Sequence, residues 1–245
     1  MSEKPSKKKL IIVLIIVALI IAGLVAIGKR VKTAEDTKES PTNAQQSGFN
    51  KSQHSLDQAG SIWWVVNKSR PVGNSYAPDD LVIPDIPIRS GAGTDERRVS
   101  QKIAVPLQQL VAAAKQNGVN LLLASGYRSY DLQQTVYAQN VKQLGQAEAD
   151  KVSAKPGTSE HQTGLSLDIG ATNRKCEIDI CFADTPEGQW VAQHAHEYGF
   201  TIRYLQSKEN KTGYSYEPWH LRYVGPELAA ELKKTGQTME EFFGL

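Results

Sequence analysis

Two short polar segments, about fifty residues apart, constrain this chain more than any other feature of it. The first holds His161 and Asp168, seven residues apart, and the second holds Glu217 and His220. Two imidazoles and one carboxylate form a ligand set that suits a tetrahedral zinc ion with one position left for water. The remaining carboxylate can then act as general base on that water. Because Gly164 offers a break within the first segment, a loop residue and a strand residue can converge on one ion, and the fold must bring both segments together.

Each of these residues also has an ordinary structural interpretation when it is taken alone. A buried histidine is usually a satisfied core residue, and an aspartate often caps a turn. The chain has only five histidines, however, and two of them lie in these segments, which favours a joint role. Of the others, His194 and His196 lie two residues apart on a predicted helix and do not share a face, whereas His54 lies in a polar stretch.

The N-terminal part of the chain predicts a membrane segment. Residues 10–28 carry no charge and consist mainly of Ile, Leu, Val and Ala, which is close to the ~20 residues that a membrane-spanning helix needs. Residues 1–32 carry seven Lys or Arg against one Glu, so the basic excess lies there. Basic residues before the apolar run favour a cytoplasmic N-terminus and an exported C-terminal part. The alternative is a cleavable signal peptide, whose apolar core would span ~7–15 residues before a small-residue cleavage site.

The sequence predicts four segments along the chain. Residues 1–9 form a basic cytoplasmic tail, residues 10–28 a signal anchor, residues 29–60 a disordered stalk and residues 61–245 one folded domain. The stalk has almost no large apolar residue, so it cannot bury enough surface to offset its ordering entropy. The formal net charge of the whole chain is only +2, which gives no reason to expect nucleic acid as a partner.

The folded domain is predicted to be α+β, because helix and strand patterns are mixed without a regular alternation. The two tryptophans of its first predicted strand would face opposite sides, so we expect at least one of them to be partly exposed. Apolar spacing predicts helices over residues 99–116, 131–144, 186–198 and 226–234, and apolar runs predict strands over residues 62–66, 119–124, 165–169 and 200–204.

The two cysteines of the chain, Cys176 and Cys181, have four residues between them. In an exported domain such a pair favours a disulfide that closes a short loop. Free thiols are one alternative. Metal ligation is the other, but a structural zinc site built on cysteines would need a second pair, which this sequence does not have.

Both polar segments resemble motifs of a known group of enzymes. Residues 159–168, Ser-Glu-His-Gln-Thr-Gly-Leu-Ser-Leu-Asp, are similar to the Ser-x-His-x-x-Gly-x-Ala-x-Asp motif of the LAS-type zinc peptidases (the lysostaphin, D-Ala-D-Ala metallopeptidase and Hedgehog-like group). Residues 217–220, Glu-Pro-Trp-His, match that group's Glu-x-Trp-His. Residues 125–130, Ser-Gly-Tyr-Arg-Ser-Tyr, and 213–217, Gly-Tyr-Ser-Tyr-Glu, are similar in particular to the VanY-type D-alanyl-D-alanine carboxypeptidases. The resemblance covers about residues 63–225.

The resemblance implies a single Hedgehog/DD-peptidase-like domain with a central antiparallel sheet, flanking helices and one bound Zn²⁺. It makes His161, Asp168 and His220 the zinc ligands. Glu217 would be the base that takes a proton from the metal-bound water and later delivers it to the leaving amine. Arg128 would bind the substrate and stabilise the developing oxyanion, because its charge is permanent and its donors form a planar fork.

The resemblance also suggests residues around the substrate. Ser159, two residues before a ligand, is expected to donate a hydrogen bond to substrate, and Gln134 and Tyr216 are expected to line the pocket. Ser166 stands where the motif usually has alanine. It adds a hydroxyl beside the metal-binding strand and removes no functional group.

The resemblance implies a zinc carboxypeptidase that removes the C-terminal D-alanine from peptidoglycan stem peptides, and the predicted signal anchor places it in the membrane at the bacterial cell surface. The motifs do not separate D,D-specific from L,D-specific members, and we favour D,D. Other possibilities are an endopeptidase, a non-catalytic zinc-containing wall-binding domain and a structural domain without metal. The presence of the base, the arginine and all three ligands favours an active enzyme. The sequence sets no expectation for the oligomeric state.

Overall fold

The computed structural model of the protein describes residues 49–245. The predicted cytoplasmic tail, the predicted anchor and most of the predicted stalk lie outside these residues. Residues 50–245 form one compact unit. Among residues 49–245, no helix combines the length and the hydropathy needed to cross a membrane.

Within residues 49–245, six strands form two antiparallel sheets. They are β1 (Leu81–Val82), β2 (Val99–Ser100), β3 (Leu121–Ser125), β4 (Ser166–Ala171), β5 (Phe200–Ile202) and β6 (His220–Tyr223). β1 and β2 pair as a small ribbon, and the other strands form a four-stranded sheet in the order β3-β4-β6-β5. The predicted α+β class with a central antiparallel sheet is therefore confirmed.

Helices flank this sheet, and three short 3-10 turns connect them to the strands. The helices are α1 (Gln101–Gln116), α2 (Tyr130–Leu144), α3 (Gln146–Val152), α4 (Pro186–His194), α5 (Glu209–Thr212), α6 (Pro226–Thr235) and α7 (Met239–Phe243). The 3-10 turns are Glu160–Thr163, Ile180–Asp184 and Ala195–Tyr198.

The longest of these helices, α1, packs against β2 and β3 through one apolar face. Ser100 caps its first turn, because the serine hydroxyl accepts a hydrogen bond from the Lys102 N–H. The apolar residues recur at helical spacing and are buried in the same core as the central strands. They are Ile103, Leu107, Leu110, Val111 and Ala114.

The register of the central sheet determines where a site can form. Asp168 on β4 lies opposite His220 on β6 and opposite Ser125 at the end of β3. The three residues therefore form one row across three strands. A β-bulge between Leu123 and Ser125 interrupts the pairing just before β3 ends. Bulges of this kind re-aim side chains at the end of a strand, and here the chain continues towards the predicted site.

The folded domain begins earlier than the sequence indicates. The prediction of a disordered stalk up to residue 60 is wrong for its last part, because residues 50–60 belong to the same compact unit as the domain. The Val65 N–H donates to the carbonyl of Leu56 at 3.0 Å, and Asp57 forms an ion pair with Arg70. These contacts use backbone groups and charges, which a prediction based on apolar content does not register.

The predicted strand over residues 62–66 is also wrong. This segment is irregular, and both Trp63 and Trp64 are buried, so the expected exposure of one tryptophan is not found. Trp63 donates its indole N–H to the carbonyl of Val224 at 2.8 Å. Trp64 packs edge-on against Tyr76, with ring centroids 5.1 Å apart. Without the alternation that a strand imposes, neighbouring side chains can both point inward.

The other predicted elements are present. Their ends agree with the structure to within two residues, except that the last four residues of the predicted helix 186–198 form a 3-10 turn.

Candidate metal centre and active site

The three predicted zinc ligands converge on one point. His161 lies on the first 3-10 turn, Asp168 on β4 and His220 at the start of β6. All three are buried, and one candidate ligand atom from each lies within 4.8 Å of the others. The carboxylate stands between the rings, because Asp168 Oδ2 is 3.4 Å from His161 Nε2 and Oδ1 is 3.3 Å from His220 Nδ1.

The backbone around the 3-10 turn orients His161. The hydroxyl of Ser159 accepts a hydrogen bond from the His161 N–H, and Gly164 ends the turn with a left-handed φ of 68° that glycine adopts without strain. His161 Nδ1 lies 2.7 Å from the carbonyl oxygen of Gly126. This carbonyl accepts the ring N–H, so the unprotonated Nε2 faces Asp168.

This donor set fits a zinc ion. Asp168 Oδ1 is buried and makes no hydrogen bond to any described residue, which is costly for a carboxylate oxygen unless a cation binds there. Two imidazole nitrogens and one carboxylate oxygen are a typical three-ligand zinc set with a fourth position left open for water or substrate. His161, Asp168 and His220 would therefore hold the ion.

Glu217 lies beside these ligands in a position suited to a base. Its Oε2 is 3.6 Å from His220 Nδ1, and its backbone N–H donates to the carbonyl of Tyr204 at 3.1 Å. Burial raises the pKa of the Glu217 carboxyl to about 7, although the nearby His220 acts to lower it. A carboxyl that titrates near neutrality can both accept a proton and return it.

The protonation of the ligands sets the condition for metal binding. Burial lowers the pKa of His161. Burial also acts to lower the pKa of His220, but the neighbouring carboxylates of Asp168 and Glu160 outweigh it and raise that pKa to about 9. In the metal-free site His220 is therefore protonated at neutral pH. A metal ion must displace this proton to bind.

Arg128 reaches the site from the segment after β3. Its Nη1 donates to Gln133 Oε1 at 2.9 Å, and its Nη2 donates to Ser125 Oγ at 3.1 Å. Nη2 also lies 3.8 Å from Asp168 Oδ2. Gln133 is itself fixed, because its amide donates to the carbonyl of Ala154 at 2.7 Å. The guanidinium is thus held beside the metal ligands, where negative charge would develop on a substrate carbonyl.

Two predicted substrate contacts, Gln134 and Tyr216, do not line the cavity that contains the ligands. Gln134 is exposed on α2, whereas Gln133 is buried and faces Arg128. Tyr216 lines a separate cavity beside β5 and α6, whereas Tyr214 lines the cavity that contains the ligands. Gln133 and Gln134 are adjacent on the helix and point in different directions, and Tyr214 and Tyr216 are two residues apart on a segment without regular secondary structure. The predictions for Gln134 and Tyr216 are therefore wrong.

The ligand cavity has a volume of about 260 Å³ and is lined by loops as well as by the sheet. Ser159 lines it, together with residues that the sequence did not indicate, and its predicted hydrogen bond to substrate stays a prediction. Arg89 and Glu96 line one part of it and are paired, with Nη2 and Oε1 3.2 Å apart. Tyr204 and Ile178 also line it. No sequence pattern marks these residues, because their proximity depends on how distant loops fold together.

A second cluster of buried charges lies directly behind His220. Glu160 Oε1 accepts hydrogen bonds from Arg203 Nε at 2.8 Å and from Arg222 Nη1 at 2.9 Å. Glu160 Oε2 accepts one from the hydroxyl of Ser166 at 3.0 Å and lies 3.7 Å from His220 Nε2. The serine that departs from the motif therefore binds the carboxylate that backs a metal ligand.

This cluster extends away from the metal site through Arg203. The two Nη atoms of Arg203 donate to the carboxylate of Glu240 at 2.8 and 2.6 Å, and Glu240 also accepts from the Asn67 amide at 3.0 Å. Burial alone would raise the pKa of Glu160, but the guanidinium groups of Arg203 and Arg222 outweigh it and hold that pKa well below its usual range. We use the name buried ion cluster for Glu160, Arg203, Arg222 and Glu240.

The predicted disulfide is confirmed. A bond links Cys176 to Cys181, and it closes the loop between β4 and the 3-10 turn Ile180–Asp184. Among residues 49–245 no cysteine is free.

The fold and the site together define a class of protein, namely zinc-dependent hydrolases in which a buried carboxylate serves as base beside a His-Asp-His metal centre. Within this class the chain belongs to the VanY family, described as D-alanyl-D-alanine carboxypeptidase, and the family model matches residues 96–226. The protein is a zinc metallocarboxypeptidase.

Individual relatives agree with this assignment. The chain is 38% identical to YodJ of Bacillus subtilis (strain 168) in an alignment of 224 positions that covers 86% of this chain and 81% of the relative. It is similar to the structure of the LdcB LD-carboxypeptidase, with 40% identity, a TM-score of 0.71 and coverage of 76% of this chain and 87% of that one. It is also similar to the D,D-pentapeptidase VanY from a VanB-type resistance cassette in complex with Zn(II), with 31% identity, a TM-score of 0.60 and coverage of 73% and 96%.

Proposed function

We propose that this protein is a zinc-dependent D,D-carboxypeptidase that removes the C-terminal D-alanine from peptidoglycan stem peptides. The observation that carries the proposal is the buried site itself, in which Glu217 and Arg128 flank three converging ligands in a member of the VanY family. The complete set of ligands, base and arginine favours catalysis over a wall-binding role. Similarity to a zinc-bound D,D-pentapeptidase supports the substrate class.

The ligand side chains would hold the ion in a fixed position, and their burial keeps bulk water away from it. His161, Asp168 and His220 would bind zinc, which supplies a Lewis acid that lowers the pKa of a water molecule and polarises the scissile carbonyl. The buried carboxylate of Asp168 also compensates part of the positive charge.

Glu217 would transfer the proton that hydrolysis requires. Its carboxylate accepts a proton from the attacking water as the water oxygen bonds to the carbonyl carbon. The same carboxyl then donates that proton to the nitrogen of the leaving D-alanine as the C–N bond breaks. Because burial raises the Glu217 pKa to about 7, the carboxyl is suited to both steps.

Arg128 would bind substrate charge beside the metal ligands. Its guanidinium is fixed by Gln133 and Ser125 and presents a planar fork of donors. In this position it can stabilise the oxyanion that develops on the scissile carbonyl.

An L,D-carboxypeptidase acting on tetrapeptide stems is the second candidate, and one specific observation favours it. The chain is more similar to the LdcB LD-carboxypeptidase than to the VanB-type D,D-pentapeptidase, both in identity and in TM-score. The two activities need the same metal centre and base, so only the substrate separates them.

The test of specificity is D-alanine release from two stem peptides. The purified full-length protein is loaded with zinc and incubated separately with a stem pentapeptide and a stem tetrapeptide, and released D-alanine is followed by mass spectrometry. We expect release from the pentapeptide. Release from the tetrapeptide alone would establish the L,D activity instead, and release from neither would contradict a carboxypeptidase.

We further propose that residues 10–28 anchor the protein in the cell membrane, with the basic N-terminus in the cytoplasm and the catalytic domain outside it. The support is the length of the uncharged run and the lysines that precede it. In untreated cells the protein should be found in the membrane fraction. Protease added to intact cells should degrade its catalytic domain. A protected domain, or a domain found only in the medium, would contradict this location.

A further inference from the structure

The loop between β4 and the next 3-10 turn holds Ile178 in an unusual backbone conformation. Ile178 has a left-handed φ of 51°, which is strongly disfavoured for a β-branched residue. The same loop contains two more non-glycine residues with positive φ, Arg174 and Cys176. Within residues 49–245 the only other such residue is Ser207. The disfavoured conformations are therefore concentrated in this loop.

Several contacts hold the loop in this conformation. The disulfide joins Cys176 to Cys181, and Cys176 packs against the hydrophobic core. Arg174 donates two hydrogen bonds to Glu177 Oε2, at 2.8 and 2.6 Å. The Asp179 carboxylate accepts one from the Cys181 N–H at 2.9 Å. A backbone conformation this unfavourable persists only where its surroundings determine it, and such positions cluster at functional sites.

The effect of this loop is to place an aliphatic side chain at the metal cavity. Ile178 lines the same cavity as the zinc ligands and Glu217, and 41% of the residue is exposed. Val152 at the end of α3 lines this cavity too and is 46% exposed. By contrast Ile180, two residues further along the loop, is 59% exposed and does not line it.

The chemistry of the cavity suggests what these two side chains meet. The remaining lining is mixed: it includes the charged Arg89, Glu96 and Arg128, which bind charges and peptide groups, together with aromatic side chains and the half-buried Val136. Two exposed aliphatic side chains need an apolar partner, and an alanine methyl group is small for both. The long methylene chain in a peptidoglycan stem is that of the diamino acid at its third position.

We propose that Ile178 and Val152 form an apolar subsite for the methylene chain of that third residue, with Ile178 held in place by the disulfide. This inference rests on the proposed function, because it assumes that the substrate is a stem peptide. To make this contact, Ile178 keeps a backbone conformation that is unfavourable for a β-branched residue.

The test compares two isoleucines on one loop. Kinetic constants are measured for the unsubstituted protein, Ile178→Ala and the matched control Ile180→Ala, on whichever stem peptide the unsubstituted protein cleaves. We expect Ile178→Ala to raise KM about five- to tenfold with kcat unchanged, since it removes apolar contact made equally in ground and transition states. Ile180→Ala should leave both constants unchanged. Equal effects of the two substitutions would overturn the proposal.

A second peptide identifies the substrate group. When alanine replaces the diamino acid at the third position, the unsubstituted protein should lose about as much in KM as Ile178→Ala does on the normal peptide. Ile178→Ala should then show no further loss, because both changes remove one interaction. If the increases in KM from the peptide change and from Ile178→Ala multiply, the two changes act independently, and the proposed contact is refuted. If the unsubstituted protein releases no D-alanine from either peptide, the proposed function fails instead, and the two failures are distinct.

The role of the disulfide is tested with the double substitution Cys176→Ser and Cys181→Ser. We expect a KM rise similar to that of Ile178→Ala with zinc content unchanged, and no further rise when Ile178→Ala is added. An unchanged KM in the double variant would show that the disulfide does not hold the subsite.

Discussion

Two clusters of buried charge meet at one peptide bond in this protein, and they differ in how fully their members are paired. Glu160 belongs to the buried ion cluster, and the next residue, His161, belongs to the metal centre. In the buried ion cluster, Glu160 and Glu240 accept hydrogen bonds from Arg203, and Glu160 also accepts one from Arg222. Each charged group there faces an opposite charge at hydrogen-bond distance.

In the metal centre, by contrast, not every charged group is fully hydrogen-bonded. Asp168 Oδ1 is buried without a hydrogen bond to any described residue. Burial raises the pKa of Glu217 to about 7, whereas the pKa of the fully buried Glu160 is held well below its usual range by two guanidinium groups. Buried charges that are fully hydrogen-bonded specify structure, whereas a buried carboxylate oxygen without a hydrogen bond and a carboxyl with a raised pKa mark a place where a ligand completes the arrangement.

Of the predictions that follow from the different pairing in the two clusters, the largest effect is expected on catalysis. Glu217→Gln should lower kcat by about 10²–10⁴, because an amide cannot accept the proton of the attacking water. Zinc content and the unfolding midpoint should stay close to those of the unsubstituted protein. D-alanine release measures kcat, metal analysis measures zinc content and a denaturation curve gives the unfolding midpoint. The exposed Glu209→Gln serves as control. Near-normal kcat would show that another group is the base.

The buried ion cluster should respond in stability. Arg203→Met leaves the carboxylates of Glu160 and Glu240 with an unpaired buried charge, so the free energy of unfolding should fall by about 3–5 kcal/mol. Urea denaturation of the zinc-free protein measures this. The exposed Arg97→Met should change it by less than about 0.5 kcal/mol. A loss no larger than the control's would mean that the cluster contributes little to the fold.

The protonation of His220 links the metal centre to pH. Because the pKa of His220 is raised to about 9, the group is protonated below that pH, and zinc must displace the proton. The apparent zinc affinity should therefore rise by about tenfold per pH unit from pH 6 towards pH 9 and then level off. Calorimetry in buffers of different ionisation enthalpy should detect proton release at pH 7. An affinity that is constant over this range would contradict a protonated His220.

The smallest effect is expected from a substitution at Ser166, which lies between the buried ion cluster and the metal centre. Ser166→Ala removes the hydroxyl that donates to Glu160, but that carboxylate keeps both of its guanidinium partners. The free energy of unfolding should fall by about 1 kcal/mol or less, with zinc affinity and kcat unchanged. A tenfold or larger loss of kcat would instead show that Ser166 positions His220 through Glu160.

The metal centre could be predicted from sequence because its members lie in short motifs of fixed spacing. His161 and Asp168 are separated by one turn and the start of a strand, and β4 and β6 then pair Asp168 with His220. Such local spacing survives without knowledge of the fold. The disulfide was predictable for the same reason, since its two cysteines close a short loop.

The features that could not be predicted from sequence depend on the direction in which a side chain points or on contacts between residues far apart in the chain. Neither Gln134 nor Tyr216 lines the ligand cavity, whereas Tyr214, two residues before Tyr216, does, and an apolar pattern does not indicate which of several nearby polar or aromatic side chains faces inward. Glu160 occupies an unspecified position of the motif, and its partners lie 43 and 62 residues along the chain. Residues 50–60 pack onto the domain through backbone and charge contacts rather than apolar content.

The most direct test of the account is the dependence of activity on the metal. D-alanine release from a stem pentapeptide is measured for the zinc-loaded full-length protein, again after removal of zinc by a chelator, and again after zinc is restored. We predict that release is lost with the metal and recovers in proportion to zinc bound, up to one ion per chain. Release that persists after the zinc has been removed would contradict the assignment of His161, Asp168 and His220 as the catalytic metal centre.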